Sequence, residues 1–305
     1  MKTNTFRLFL LHPQYWITWL GFGILRLILL LPYSVLLKLA RGLSLILLRL
    51  ASSRRRIAAR NLELCFPEKS EAERETLLRE NFFSTTMAIF ESGMSWFWPR
   101  RRLEKIYKVE GFEHIDAAKG RGVLLMGMHF TTLDIAGAFY NIHSSCDAMY
   151  RAHKNPVYDY LQRRGRERHN SDSTMIDRKD VRGLIRTLKK GRVVWYAPDQ
   201  DYGAKQSVFV PFFGVQAASV TATANFARLG NALVLPFIHL RAADGSGYKI
   251  KVFPPVKDFP SGDAEVDART VNAIVEENVA QYPEQYLWAH KRFKTRPPGE
   301  PSVYS

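Results

Sequence analysis

The apolar run 123–128 ends at His129, and Phe130, Thr131, Thr132, Leu133 and Asp134 follow it. On one continuous helix, positions five apart lie about 140° around the axis and do not face each other. With His129 at a strand end and Asp134 in the first turn of the next helix, the chain reverses and the two side chains meet. A carboxylate on one imidazole nitrogen fixes the tautomer and leaves the other nitrogen to accept a proton. That is a base suited to activating a hydroxyl. The same residues also make an ordinary helix start, with Thr131 as N-cap, Asp134 as its capping partner and His129 packed in a core.

Other chemistries find less support. Asp199, Gln200 and Asp201 look like part of a cation loop but lack the further oxygens and terminal Glu that such a loop needs. His114, His143, His153, His169 and His239 form no zinc spacing with Cys65 and Cys146, the only cysteines. Two thiols give no disulfide framework and fit a reducing compartment. Ser207 and Ser219 stand in no nucleophile elbow, so a covalent acyl-serine is not expected, nor is a metal or cofactor.

Positioning such a base takes strands that end where helices begin. Apolar runs at 123–128, 148–151, 193–197, 232–240 and 248–253 read as strands. Helical patterns fall between and after them, at 132–141, 156–168, 180–190, 219–230 and 264–282. This alternation predicts an α/β fold with a mainly parallel sheet flanked by helices. In such sheets the reactive groups lie beyond the carboxyl ends of the strands. A longer helix is expected over 71–98. Its final Trp96, Phe97 and Trp98, before Arg100, Arg101 and Arg102, suit either a contact with a bilayer surface or a core cluster.

The chain has 305 residues and a formal net charge of +15, most of it at the front. Residues 1–60 hold ten Lys or Arg and no acid, the first being Glu63. Such a balance suits nucleic acid or an anionic membrane. No zinc-finger, homeodomain or RNA-binding signature accompanies it, and the basic stretch is also the most apolar, so membrane attachment is the reading and nucleic acid is not a partner. Residues 15–37 are long enough to span a bilayer, with Tyr15, Trp16 and Trp19 at the headgroup edge; Arg26 is an expensive interruption, and Pro32 allows a shallower hairpin. The next segment places Lys38, Arg41 and Arg49 on one side of a leucine-rich helix suited to the interface, with Arg54, Arg55, Arg56 and Arg60 reaching headgroups. The expected division is a membrane anchor and interfacial helix at 1–50 and a catalytic domain at 51–305.

The motifs also form a recognisable set. It contains Asn61 through Glu68 (NLELCFPE), His129 through Asp134 (HFTTLD), Tyr150-Arg151, Asn155-Pro156, Gly165-Arg166 and Asp177 through Asp180. It continues through Val194 to Gly203 (VWYAPDQDYG), Val208 to Gly214 (VFVPFFG), and Pro283 to Tyr286 with Trp288, His290 and Arg292 to Pro297. With these blocks the chain resembles, over nearly its whole length, the lipid A late (secondary) acyltransferases of the lauroyl/palmitoleoyl type. Asp134 stands where relatives often carry Glu. The resemblance implies a glycerolipid-acyltransferase-like α/β fold preceded by an N-terminal membrane helix, on the cytoplasmic side of a bacterial inner membrane. It also implies acyl transfer from acyl carrier protein to a 3-hydroxyacyl hydroxyl of an anionic, Kdo-bearing lipid A precursor. On it, His129 oriented by Asp134 is the base. Arg166 stabilises the oxyanion or holds an anion, and Asp199 orients Arg166, contacts the acceptor or merely starts a turn. Arg163, Arg164, Arg168, Arg178 and Arg182 are available to meet the anionic partners. A different acceptor hydroxyl, on a lysophospholipid or glycolipid, and a membrane-tethered binding protein without catalysis remain the alternatives.

Overall fold

The computed structural model describes residues 5–118 and 120–304. The apolar stretch 15–37 does not form one long helix. It folds as α1 (Trp16–Ile28) and α2 (Tyr33–Leu50), and among the described residues no helix is long and apolar enough to cross a membrane. This corrects the expected N-terminal membrane helix. Pro32 lacks an N–H and disfavours helix in the residue before it. The carbonyls freed at the break are then taken by a distant segment. Leu29 O accepts from Trp98 Nε1 at 2.8 Å and Arg102 Nη1 at 2.9 Å, and Leu31 O accepts from Arg102 Nη2. Trp96 and Trp98 are buried, so these two rings belong to the core, and the Arg102 guanidinium lies 3.6 Å from the Trp98 ring centroid.

After α3 (Ser52–Cys65) comes the long α4 (Glu71–Phe97), opened by a capping box in which the Ser70 N–H donates to the Glu73 carboxylate at 2.7 Å. Helix α2 packs along α4, burying Leu36 and Ala40; Arg41 pairs with Glu80 at 2.6 Å and covers the Phe83 ring. The basic edge of α2 therefore faces α4 in part.

Beyond α5 (Arg100–Leu103), the chain runs through β1 (Tyr107–Glu110), α6 (Glu113–Asp116), β2 (Gly122–Met126), α7 (Leu133–His143) and β3 (Asp147–Tyr150). It continues through α8 (Pro156–Glu167), β4 (Met175–Asp177), α9 (Val181–Lys189) and β5 (Val193–Tyr196). An antiparallel hairpin, β6 (Ser207–Phe212) and β7 (Val215–Val220), precedes α10 (Ala222–Gly230), β8 (Ala232–Arg241), β9 (Tyr248–Val252) and α11 (Ala264–Gln281). Seven strands form one sheet in the order β1-β9-β8-β2-β5-β3-β4, parallel at every pairing except β8 with β9. The mainly parallel, helix-flanked α/β sheet expected from the alternation is thus the observed architecture.

Topology sets the position of the crevice. From β2 the chain steps outward to β3 and β4, returns to β5 beside β2, and then crosses to β8 on the other side of β2. Strand order reverses there, and the carboxyl ends of β2 and β5 open the crevice that such a reversal creates. Strand β2 is buried at all five residues, which requires helices on both faces. Between α4 and the sheet lies a buried ion pair, Glu91 with Arg241 at 2.7 Å, joined by the Tyr248 hydroxyl donating to Glu91 at 2.8 Å.

Candidate active site

Strands β2 and β5 pair in parallel with Met126 opposite Tyr196, and the Gly127 N–H donates to Tyr196 O at 3.0 Å. Three residues beyond each member of that pair stand His129 and Asp199. Their meeting follows from the register. His129 Nδ1 lies 2.6 Å from Asp199 Oδ1, and the His129 backbone N–H donates to Oδ2 at 2.8 Å. The Asp199 side chain has no solvent exposure, while His129 is 21% exposed and so open to a substrate. Burial alone would raise the Asp199 carboxyl, but the His129 charge and the His129 hydrogen bonds outweigh it and hold it down to about 2. An ionised Asp199 keeps the proton of His129 on Nδ1 and leaves Nε2 to accept another.

The expected pairing of His129 with Asp134 is therefore replaced by His129 with Asp199. Asp134, in the first turn of α7, turns toward α8 and α4 instead. Its Oδ1 accepts from Arg166 Nε at 2.8 Å and Nη2 at 2.6 Å, and its Oδ2 accepts from Ser92 Oγ at 2.8 Å. The start of α7 is fixed by Thr132, whose buried hydroxyl donates to His239 O and meets His239 Nδ1, both at 2.8 Å. Arg166 is thus an ion-pair member and not a solvated charge, and Asp199 orients the histidine and not the arginine.

An apolar cavity of about 60 Å³ adjoins the Asp134–Arg166 pair, lined among others by Leu125, Gly137, Met149, Trp195 and Phe237. The Trp195 ring stands edge-on to His129 with centroids 6.3 Å apart, so base and cavity share a wall. A Cβ built on Gly137 meets nothing within 4 Å, so this helical glycine keeps space that neither backbone strain nor packing requires.

A segment with no role legible from the sequence, 284–290, closes over His129. Leu287 N–H donates to His129 O at 2.9 Å, Thr131 N–H donates to Gln285 O at 2.7 Å, and Phe130 bridges to Tyr286. Two buried amides grip that segment. Asn61 Nδ2 donates to Trp288 O and His290 O at 2.7 and 2.8 Å; Asn81 Nδ2 donates to Tyr286 O and Glu284 O at 2.6 and 3.0 Å. An Asn among the apolar positions of a helix is the signal available in sequence. Burial, then repulsion from His129, lowers His239 to about 3 and His290 to about 4, so both neighbours are neutral near pH 7. Asp201 organises the next turn, accepting from Gly203 N–H at 2.8 Å and from Thr295 N–H at 2.6 Å. Among the described residues no group of His, Cys, Asp and Glu is arranged to hold a metal ion.

The family model for bacterial lipid A biosynthesis acyltransferases matches residues 3–295. The chain is 49% identical over 298 residues to the lipid A biosynthesis lauroyltransferase of Escherichia coli (strain K12), covering 97% of each. It is 43% identical over 297 residues to the palmitoleoyltransferase of the same organism, covering 96% of each. It is 42% identical over 308 residues to a lipid A biosynthesis acyltransferase of Haemophilus influenzae, covering 99% of this chain and 98% of that one. A strand-end histidine held by a buried aspartate, beside an apolar cavity and within a match of this extent, places the chain in the bacterial lipid A biosynthesis acyltransferase family.

Proposed function

We propose that this enzyme transfers a lauroyl or similar acyl chain from acyl carrier protein to a 3-hydroxyacyl hydroxyl of a Kdo-bearing lipid A precursor. The observation that carries the reading is the His129–Asp199 pair. His129 Nε2 removes the proton from the acceptor hydroxyl as that oxygen attacks the thioester carbonyl. The C–O bond forms, the tetrahedral oxyanion collapses, the C–S bond breaks, and the imidazolium returns its proton to the departing thiolate. Arg166, held by Asp134 at the rim of the apolar cavity, stabilises the oxyanion, and the cavity, smaller than a whole lauroyl chain, receives part of the acyl tail. No covalent acyl-enzyme is needed.

The same proposal seats the chain on the cytoplasmic face of the bacterial inner membrane without spanning it. Ile17, Leu20, Ile24, Leu27 and Leu30 of the α1 region are each at least half exposed, and positions 1–60 carry ten basic residues and no acid in sequence. This is the pattern of an interfacial helix. The test is transfer from lauroyl-acyl carrier protein to the lipid A precursor in detergent, with a lysophospholipid as competing acceptor. His129→Ala is expected to lower the rate by at least a hundredfold with the fold intact. An unchanged rate overturns the mechanism, and preference for the lysophospholipid overturns the acceptor.

A further inference from the structure

Arg26 interrupts the apolar α1, and it does so beside a cavity. A cavity of about 540 Å³ lies between α1 and α8, and its lining includes Arg26, Arg164 and Arg168, with Phe22, Trp96 and Phe97 among its aromatic walls. No carboxylate lines it. Arg164 in the last turn of α8 and Arg168 at its C-cap are one helical turn apart, whereas Arg166 lies between them in sequence and on the opposite side of the helix, toward Asp134. Gly165 permits this arrangement: a Cβ there would sit 2.4 Å from Trp96, which packs directly against the helix. Arg26 approaches from α1, its guanidinium 6.0 Å from the Phe97 ring centroid. Arg168 is lowered by burial and then by the charges of Arg164 and Arg26, so the three cations repel one another across the same space.

Three guanidiniums above an aromatic wall, without a counter-charge, form a receptor for an anion attached to an apolar body. We propose that this cavity binds the phosphate of a lipid headgroup, with Arg26 and Arg164 as its ligands and the aromatic rings receiving the adjoining apolar part. The phosphate can belong to the glycolipid acceptor or to a membrane phospholipid. The inference rests on the membrane-surface seating proposed above and not on the identity of the acceptor. A helix is about 10–12 Å across, so a phosphate held here lies one helix width from Arg166.

The test uses the full chain in detergent. The probes are dihexanoyl phosphatidic acid, which is water-soluble, and dihexanoylglycerol, its phosphate-free counterpart, read by calorimetry and by tryptophan fluorescence. The phosphate-bearing probe is expected to bind at least tenfold tighter. Arg26→Gln with Arg164→Gln is expected to remove roughly tenfold per guanidinium, and Lys at both positions to restore part of it. Equal affinity for the two probes overturns the proposal, as does a double Gln variant that keeps the wild-type preference with an unchanged melting midpoint. Acyl-transfer kinetics then identify the source. A raised KM for phosphorylated but not dephosphorylated glycolipid assigns the acceptor. An unchanged KM, with weaker binding to phosphatidylglycerol vesicles, assigns the phospholipid. Inactivity toward every acceptor would remove the proposed reaction but leave the probe-binding result standing, because that measurement needs no turnover.

Discussion

Asp199 sets the state of the base and Gly137 leaves the space beside it, and each can be altered without touching the other. Asp199 is buried against His129 and fixes its tautomer, so Asp199→Asn keeps the shape while offering the ring an amide that no longer demands Nδ1–H. The expected loss is about 10³–10⁴-fold in kcat with little change in acceptor KM, measured by acyl transfer, as in other sites where the orienting carboxylate is neutralised. Because Asp199 is lowered to about 2, it stays ionised throughout the range in which the enzyme is assayed. An acid limb of the rate profile in wild type therefore does not report protonation of Asp199. Gly137 makes a different prediction. Its missing Cβ faces open cavity, so Gly137→Ala adds a methyl group there without a clash. With donors of increasing chain length, kcat/KM should fall most for the longest chains, by roughly tenfold, and hardly at all for the shortest. A uniform loss across the series would mean the cavity does not receive the acyl tail.

At the scale of elements, what the sequence shows and what it hides have separate causes. The runs that became β2 and β8 were readable because a strand buried on both faces reads as a nearly continuous apolar run, whereas β9 was readable from the alternation of Lys249 and Lys251 with Tyr248, Ile250 and Val252. Strand β1 carries Lys108 and Glu110 among its four residues and β4 has only three residues, so neither reads as an apolar run, and the β6–β7 hairpin took residues 219–220 from an expected helix. His129 and Asp199 each stood visibly at a strand end. That β5 lies next to β2 is a matter of sheet order, which no local pattern encodes, so the histidine was matched with the nearer Asp134. The packing of α4 on the sheet gives the next prediction. Glu91 and Arg241 are buried together, and Glu91→Ala leaves a buried guanidinium unpaired, with an expected cost of about 3–5 kcal/mol in denaturant unfolding. Replacing both with Met should recover most of it. Strand β8 also carries an acid sensitivity. His239 is lowered to about 3 by burial and then by His129, against 6.5 when unfolded. A base with a depressed folded value contributes stability that is full above pH 6.5 and is lost as pH falls from there toward 3, up to roughly 3–5 kcal/mol. His239→Asn, which keeps a polar atom where Nδ1 meets Thr132, should flatten that part of the stability profile.

For the whole molecule, the charge of +15 and the exposed apolar skin are one feature, because both are concentrated in the first sixty residues. Helix α1 is capped at its broken end by Trp98 and Arg102 and packs on α4 and α8, so the apolar surface is rigidly joined to the elements that carry Ser92 and Arg166. Membrane seating would therefore set the height of the catalytic crevice above the lipid. The proposed seating has two components, and they respond to different treatments. At 1 M salt the Debye length falls to about 3 Å, which removes most of the attraction between basic side chains and anionic headgroups but leaves apolar insertion unaffected. Replacing Ile17, Leu20, Ile24 and Leu27 with Gln does the reverse. These four are 84, 64, 50 and 67% exposed in the folded chain, so their loss costs little stability, while burying each in lipid is worth about 1.5–3 kcal/mol at most. In flotation with phosphatidylglycerol vesicles, the quadruple variant should bind at least a hundredfold more weakly and lose the remainder in high salt, whereas wild type should keep most of its binding there. Wild-type affinity in the variant would assign the attachment to charge alone and detach the apolar surface of α1 from the membrane.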